Sequence, residues 1–152
     1  MKTELSKTHL EAWRRYYPSF WRVYAAIEAD LDAAGLPSLS WYDVLYQLYL
    51  APERRLRMSQ LAQSALLSRS GLTRLVDRLE KEGVLARKAC PTDGRAQHAE
   101  LTDKGVAVLR KIWPVYRAGI AKYFAAHLSE TEAKQVAAIF DRVVEAAECK
   151  EL

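Results

Sequence analysis

The sequence predicts a mainly α-helical fold that carries one small β-hairpin. Apolar residues recur at intervals of three and four through most of the 152 residues, the signature of amphipathic helices. One such helix, over residues 71–83, ends at a glycine. Two short strand-like stretches, 84–89 and 96–101, follow it around the turn Pro91-Thr-Asp-Gly94, whose residue types suit a hairpin. In that helix Leu72, Leu75, Val76 and Leu79 share one face, which leaves Arg69, Ser70, Thr73, Arg74 and Arg78 on faces that need no burial. Gly83 is the expected stop, because glycine tolerates the left-handed conformation just past a last turn.

The remaining elements follow in order. Leu10, Trp13, Tyr17, Phe20, Tyr24, Ile27 and Leu31 form a seam at coiled-coil spacing, which predicts a long helix packed on another helix, most simply one from a second subunit. Pro18 lies inside the seam and predicts a kink or break there. Ser40 reads as the cap of the next helix, with Asp43 accepting from the cap's backbone N–H, and Trp41, Val44, Leu45, Leu48 and Tyr49 as its apolar stripe. After a basic loop, Ser59 is expected to cap a short helix bearing Leu61 and Ala62. Leu66-Leu67 then turns the chain into a longer helix starting near Ser68. Two short helices joined by a tight turn, the second polar on its outer face, make a helix-turn-helix. Thr102-Asp-Lys-Gly105 opens a long helix through Val106, Leu109, Trp113, Tyr116, Ile120 and Tyr123, which Pro114 is expected to bend. Ser129-Glu-Thr-Glu132 is a capping box for a last helix with Val136, Phe140, Val143 and Ala147.

Charge is concentrated rather than large. The net charge is +4, yet residues 54–95 hold ten Lys/Arg against four Asp/Glu, and the remainder is net negative. A central basic block between near-neutral or acidic flanks suits a chain whose middle meets phosphate, although a solvated surface gives similar numbers. A helix carrying short polar and guanidinium groups beside a basic hairpin can place one element in a DNA groove and the other on the adjacent backbone. No run of about 18 apolar residues occurs, so no membrane span is expected. The charged start of the chain does not read as a signal peptide, so the cytoplasm is the expected compartment. Cys90 and Cys149 are too few for a zinc site, and a disulfide between them is not expected in a reducing cytosol. A redox role for Cys90 competes with a small side chain at a strand end. Nucleophile-elbow, P-loop, dinucleotide and His-Glu-x-x-His spacings are absent, and His9, His98 and His127 are isolated, so no catalytic residue, metal or cofactor is expected.

The run from Leu61 through Gly105, with Gly71-Leu-Thr-Arg-Leu-Val-Asp-Arg-Leu-Glu, Gly83-Val-Leu, Cys90-Pro-Thr-Asp-Gly-Arg95 and Leu101-Thr-Asp-Lys-Gly, resembles the MarR family of bacterial winged-helix transcription regulators. The flanking helices agree in length and order, so the resemblance covers nearly the whole chain. It implies a single domain over 1–152: a winged helix-turn-helix at about 38–102, with dimerisation helices at about 5–34 and 103–148. It also implies a homodimer gripping a pseudo-palindromic operator in double-stranded DNA and, in many members, an anionic aromatic effector that weakens DNA binding. The wing here reads Asp-Gly-Arg, where many members carry a second arginine in place of Gly94, which implies a weaker grip on the backbone.

The candidate DNA contacts are Ser68, Arg69, Ser70, Thr73, Arg74, Arg78, Arg87, Lys88, Asp93 and Arg95. By pattern alone Arg74 is either a solvated or ion-paired helix arginine or a base reader; its place in the resemblance favours reading. Arginine can bind guanine bidentately, worth about 1–3 kcal/mol of discrimination. Ser68, Ser70 and Thr73 are short donors near a helix N-terminus, whose dipole also favours phosphate, and Ser68 can equally be the cap. By resemblance Arg95 is the wing-tip residue that enters a narrow A·T-rich minor groove. Asp93 cannot favour phosphate and suits orienting an arginine. Arg87 and Lys88 read as backbone contacts or solvated strand residues. Ten of the fifteen aromatic residues fall between 13 and 49, which usually means core or dimer packing. Interleaved with Arg14, Arg15 and Arg22, they can also line a cleft for a planar anion, an aromatic carboxylate or phenol, with Trp13, Arg15 and Trp41 as the candidate contacts.

Overall fold

A computed structural model of the chain describes residues 4–64, 69–90, 92 and 96–148. The expected turn at Leu66-Leu67, Ser68, Asp93, Gly94, Arg95 and Cys149 lie outside the described residues, as does the Arg69 side chain. Six α-helices are present among the described residues: α1 (Lys7–Ala33), α2 (Leu39–Leu50), α3 (Met58–Ser64), α4 (Arg69–Lys81), α5 (Asp103–Tyr123) and α6 (Glu130–Glu148). Three strands, β1 (Arg55–Arg57), β2 (Leu85–Ala89) and β3 (Gln97–Leu101), form an antiparallel sheet in the order β1-β3-β2. The expected hairpin is β2–β3, with Arg87 opposite Ala99 and Lys88 opposite His98. The basic loop of the sequence reading is in part β1, paired to β3 with Leu56 opposite Ala99.

The chain divides into two compact units, with boundaries inside α1 and α5. The first comprises residues 28–116 and holds α2–α4, the sheet and the start of α5. Its core is aliphatic: Leu31, Val44, Leu45, Leu48, Leu61, Leu72, Val76, Leu79, Val84, Leu85 and Ile112 are all fully buried. Burying one such side chain is worth about 1.5–3 kcal/mol, so the helical stripes read from the sequence are what holds this unit together.

Helix starts differ from expectation in instructive ways. Leu39, not Ser40, opens α2, and its N–H donates to Glu28 Oε1 at 2.7 Å, while the Ser38 and Ser40 hydroxyls bond each other at 2.8 Å. The cap is therefore a carboxylate from α1, and Asp43 is not the capping acceptor. Helix α3 opens at Met58, one residue before Ser59, and Gln60 Oε1 accepts the Arg57 N–H at 2.9 Å. Pro18 breaks nothing, since α1 continues through it. Proline removes one helical donor, the N–H that would serve the Arg14 carbonyl, and the helix continues on either side of it. Helix α5 is likewise continuous through Pro114. At α6 the capping box forms as read: Glu132 Oε2 accepts the Ser129 N–H at 2.8 Å, and Ser129 Oγ accepts the Glu132 N–H at 3.3 Å. The Ser129 N–H and the Ser129 hydroxyl, which also donates to Glu132 Oε2 at 2.8 Å, together hold the Glu132 carboxyl below the usual range.

The second unit joins the chain up to Ile27 with the chain from Arg117 onward. Here α1 and α6 meet through Tyr16 and Phe140, with ring centroids 5.1 Å apart. Most of its large apolar side chains nevertheless face outward. Trp13, Tyr17, Phe20 and Trp21 on α1, and Ile139, Phe140, Val143 and Val144 on α6, are between 38 % and 58 % exposed. The 3-4 seam of α1 is thus real as a helix face, but buried only toward its C-terminal end, at Ile27 and Leu31.

The junction that aims the hairpin lies in the first unit. Gly83 adopts φ +72°, the left-handed conformation predicted for the helix stop, and turns α4 into β2. Its carbonyl accepts the Thr102 hydroxyl at 2.7 Å, the Glu82 carbonyl accepts Lys104 Nζ at 2.6 Å, and the Val84 carbonyl accepts the Thr102 N–H at 3.2 Å. Gly105 packs so tightly here that a Cβ would stand 2.1 Å from the Val84 carbonyl oxygen and 2.5 Å from Leu101 Cδ1. Gly105→Ala is therefore expected to destabilise the protein by about 1–3 kcal/mol through overpacking, measured by urea unfolding. A midpoint equal to that of the wild type would show that α5 does not need this close approach.

Candidate nucleic-acid interface and aromatic cleft

Helix α4 is two-faced. Leu72, Val76 and Leu79 are at most 2 % exposed, while Ser70, Thr73, Arg74, Asp77 and Arg78 are all exposed. The exposed positions recur at helical intervals, so they make one continuous outer face. Arg74 and Arg78 sit one turn apart on it, and neither has an ion-pair partner among the described residues. A helix held by three buried aliphatics, with two unneutralised guanidinium groups and short hydroxyls outward, has the width and donor set to enter a major groove.

The hairpin cations are differently placed. Arg87 is drawn in toward α4: its guanidinium pairs with Asp77 and lies 3.4 Å from Glu80, and its backbone N–H donates to Glu80 Oε1 at 3.0 Å. Lys88 reaches across to Glu100 at 2.9 Å but stays exposed. Cys90, at the end of β2, is buried, with Sγ 3.2 Å from the Thr92 hydroxyl. Three arginines of the basic block fall around β1. Arg54 lies 3.5 Å from Asp103 and 5.9 Å from the Tyr49 ring centre, Arg55 pairs with Glu53, and Arg57 is exposed. Glu53 and Arg54 both adopt positive φ, an unfavourable conformation costing about 1–2 kcal/mol per non-glycine residue. The structure thus brings Ser70, Thr73, Arg74 and Arg78 together on one face, while Arg87 differs from the two helix arginines in being paired with carboxylates.

The expected ligand residues do not converge within one unit. Trp13 and Arg15 belong to one, where Trp13 stacks on Tyr17 at 5.9 Å and Arg15 lies 3.7 Å from Glu11; Trp41 belongs to the other. Within residues 28–116 a cleft of about 300 Å³ forms from α2 and the first half of α5. Tyr42, Tyr46 and Tyr49 line one side, and Val106, Leu109, Arg110 and Trp113 the other. The rings are nearly parallel: Tyr42 and Tyr46 stack at 5.4 Å and 17°, Tyr46 and Tyr49 at 6.4 Å and 15°, and Tyr42 and Trp113 at 6.2 Å and 18°. Burial, with Tyr46, Tyr116 and Asp43 nearby, pushes the Tyr42 phenol up to about 12. Burial and then Glu28 raise the Asp43 carboxyl, and burial and then Asp43 raise Tyr116. Tyr42 therefore stays neutral at physiological pH, and Arg110 is the one cation among the lining residues. Sequence reasoning missed this site, although the 4-3 spacing of the tyrosines and the three-residue step from Arg110 to Trp113 already put each set on one helix face.

Comparison with known proteins agrees with this architecture. Residues 34–96 match the model of the MarR family. The HTH-type transcriptional regulator MhqR of Bacillus subtilis is 35 % identical over 102 residues, covering 67 % of this chain and 68 % of that protein. The fold is shared with Sco3205, a MarR family transcriptional regulator of Streptomyces coelicolor solved in complex with DNA. Its TM-score is 0.86 and its identity 32 %, over 96 % of this chain and 91 % of that one. AbsC, a MarR family regulator from the same organism, gives a TM-score of 0.86 at 26 % identity over 98 % and 100 % of the two chains. These relatives are named as transcriptional regulators, not enzymes. The chain belongs to the MarR family of transcriptional regulators.

Proposed function

We propose that this protein is a cytoplasmic homodimeric repressor that binds a pseudo-palindromic operator and is released from it by a small aromatic anion. The observation that carries the DNA-reading part is the outer face of α4, where Arg74 and Arg78 are exposed and unneutralised above a fully buried aliphatic stripe. Ser70 and Thr73 precede them, near the helix N-terminus whose dipole favours phosphate. In this reading Arg74 contacts a base edge, while Ser68, Arg69, Ser70, Thr73 and Arg78 divide between phosphates and bases. Lys88 faces the backbone, and Arg95, beyond the described residues, enters the minor groove with Asp93 orienting an arginine.

Dimerisation is supported by the apolar faces of α1 and α6. A row of half-exposed Trp, Tyr, Phe, Ile and Val side chains is far more apolar surface than a monomer leaves in water without a partner. A second copy of the same faces would cover them by an isologous contact, which places two reading helices on successive turns of one duplex. Trp13 belongs to this contact.

Effector control is supported by the cleft between α2 and α5. Its stacked phenols and Trp113 suit a flat ring, its volume suits a one-ring or two-ring compound, and Arg110 supplies the charge an aromatic carboxylate or phenolate needs. A ligand that favours a conformation unsuited to DNA must weaken operator binding by the factor by which DNA weakens ligand binding.

Three measurements check these parts separately. Arg74→Ala is expected to cost about 1–3 kcal/mol of binding to a duplex selected from a random library and to relax preference at one major-groove position. Unchanged affinity and unchanged preference would remove the base-reading role. Sedimentation at micromolar concentration is expected to give a dimer, and a stable monomer would exclude the two-fold assembly. Hydroxylated benzoates are expected to quench tryptophan fluorescence and release the selected duplex, with both effects lost in Arg110→Ala. Absence of any response across the panel at millimolar concentration would exclude this effector class.

A further inference from the structure

Among the cations near the reading helix, Arg87 differs in being already occupied. Its guanidinium lies between Asp77 and Glu80, residues one helical turn apart on α4, and Glu80 also accepts the Arg87 backbone N–H at 3.0 Å. The side chain is 22 % exposed, against 57 % for Asp77 and 39 % for Glu80. Two carboxylates neutralise its one positive charge, so little of that charge is left for a phosphate. Arg74 and Arg78, the i−3 and i+1 neighbours of Asp77, have no such partners among the described residues. The planar guanidinium can engage two carboxylates at fixed angles, which an ammonium cannot do.

We propose that Arg87 is a positioning residue and not a DNA contact: through Asp77 and Glu80 it locks the wing strand β2 to the reading helix α4, so that helix and hairpin present to DNA as one rigid piece. The lock works at the middle of β2, where Arg87 pairs with Ala99 of β3, well beyond the Gly83 turn that joins the two elements covalently. It adds a side-chain attachment between helix and hairpin, farther along β2 than the joint at Gly83. The same pairing covers the Asp77 carboxylate, which would otherwise stand bare on the outer face between Arg74 and Arg78 and repel phosphate.

Positioning and phosphate contact make opposite demands on specificity. An arginine on a phosphate adds affinity to every duplex alike, whereas one that sets the angle between two readers matters most for the sequence both must fit. The test compares full-length wild type, Arg87→Gln, Arg87→Lys and the double variant Asp77→Asn/Glu80→Gln, each checked for dimer content and melting temperature. Binding is measured to a duplex selected from a random library and to a random-sequence duplex at one salt concentration. The expected result is an approximately tenfold fall in the selected-over-random ratio for Arg87→Gln, with most of that fall kept in Arg87→Lys. The double variant is expected to lose the same ratio although it removes two negative charges, because it frees Arg87 from its carboxylates. A lysine variant with the wild-type ratio, or a Gln variant weakened equally on both duplexes, would make Arg87 a backbone contact and overturn the proposal. So would tighter binding of the selected duplex by the double variant with its ratio intact.

Discussion

Gly83 and the residues that close over it set the geometry on which DNA reading depends. A helix that stops in the left-handed conformation can send the chain in one defined direction, and the Thr102 and Lys104 bonds to the carbonyls of residues 82–84 fix that direction from the start of α5. The absence of a side chain at Gly105 lets α5 come this close. Helix α4, strand β2 and helix α5 therefore share a single joint. The outer face of α4 gains its orientation from below, through Leu72, Val76 and Leu79, and from its end, through this joint.

The two units are held together internally by different means. Residues 28–116 have an aliphatic core with no buried charged side chain among the described residues. In the other unit the aromatic and aliphatic faces of α1 and α6 remain half in water. Since apolar burial contributes about 25 cal/mol per Å², each such face is stabilisation left unrealised in one chain and available to a second.

Helix existence is legible from apolar period, and the Gly83 stop, the Ser129–Glu132 capping box and the β2–β3 hairpin are legible because each is announced by glycine, cap or turn residues within a few positions. What escaped the sequence depends on partners far along the chain. Strand β1 is only Arg-Leu-Arg, too short to show alternation, and exists because β3 offers it an edge. The start of α2 is set by Glu28, eleven residues earlier, so the local Ser40–Asp43 reading chose the wrong cap. Of the kink or break that Pro18 predicts, the break does not occur, since α1 runs unbroken from Lys7 to Ala33. For the site, the exposed face from Ser70 to Arg78 was readable, while the pairing of Arg87 with Asp77 and Glu80 was not, since it joins a helix to a strand. The crowding of aromatics near Trp13 and Trp41 points to those residues, and the α2–α5 cleft has no comparable signal in the sequence. The cleft uses three tyrosines of α2 that become a wall only when Arg110 and Trp113 of α5 face them.

The central claim is that the outer face of α4 reads a major groove, twice per dimer. Methylation interference on a duplex selected from a random library tests it directly, because dimethyl sulfate modifies guanine N7, an acceptor that only the major groove exposes. The account predicts that methylated guanines interfere in two clusters about one helical turn, roughly 34–36 Å, apart, related by the two-fold axis of the site. Tight binding without interference at any guanine of a guanine-containing half-site would contradict it.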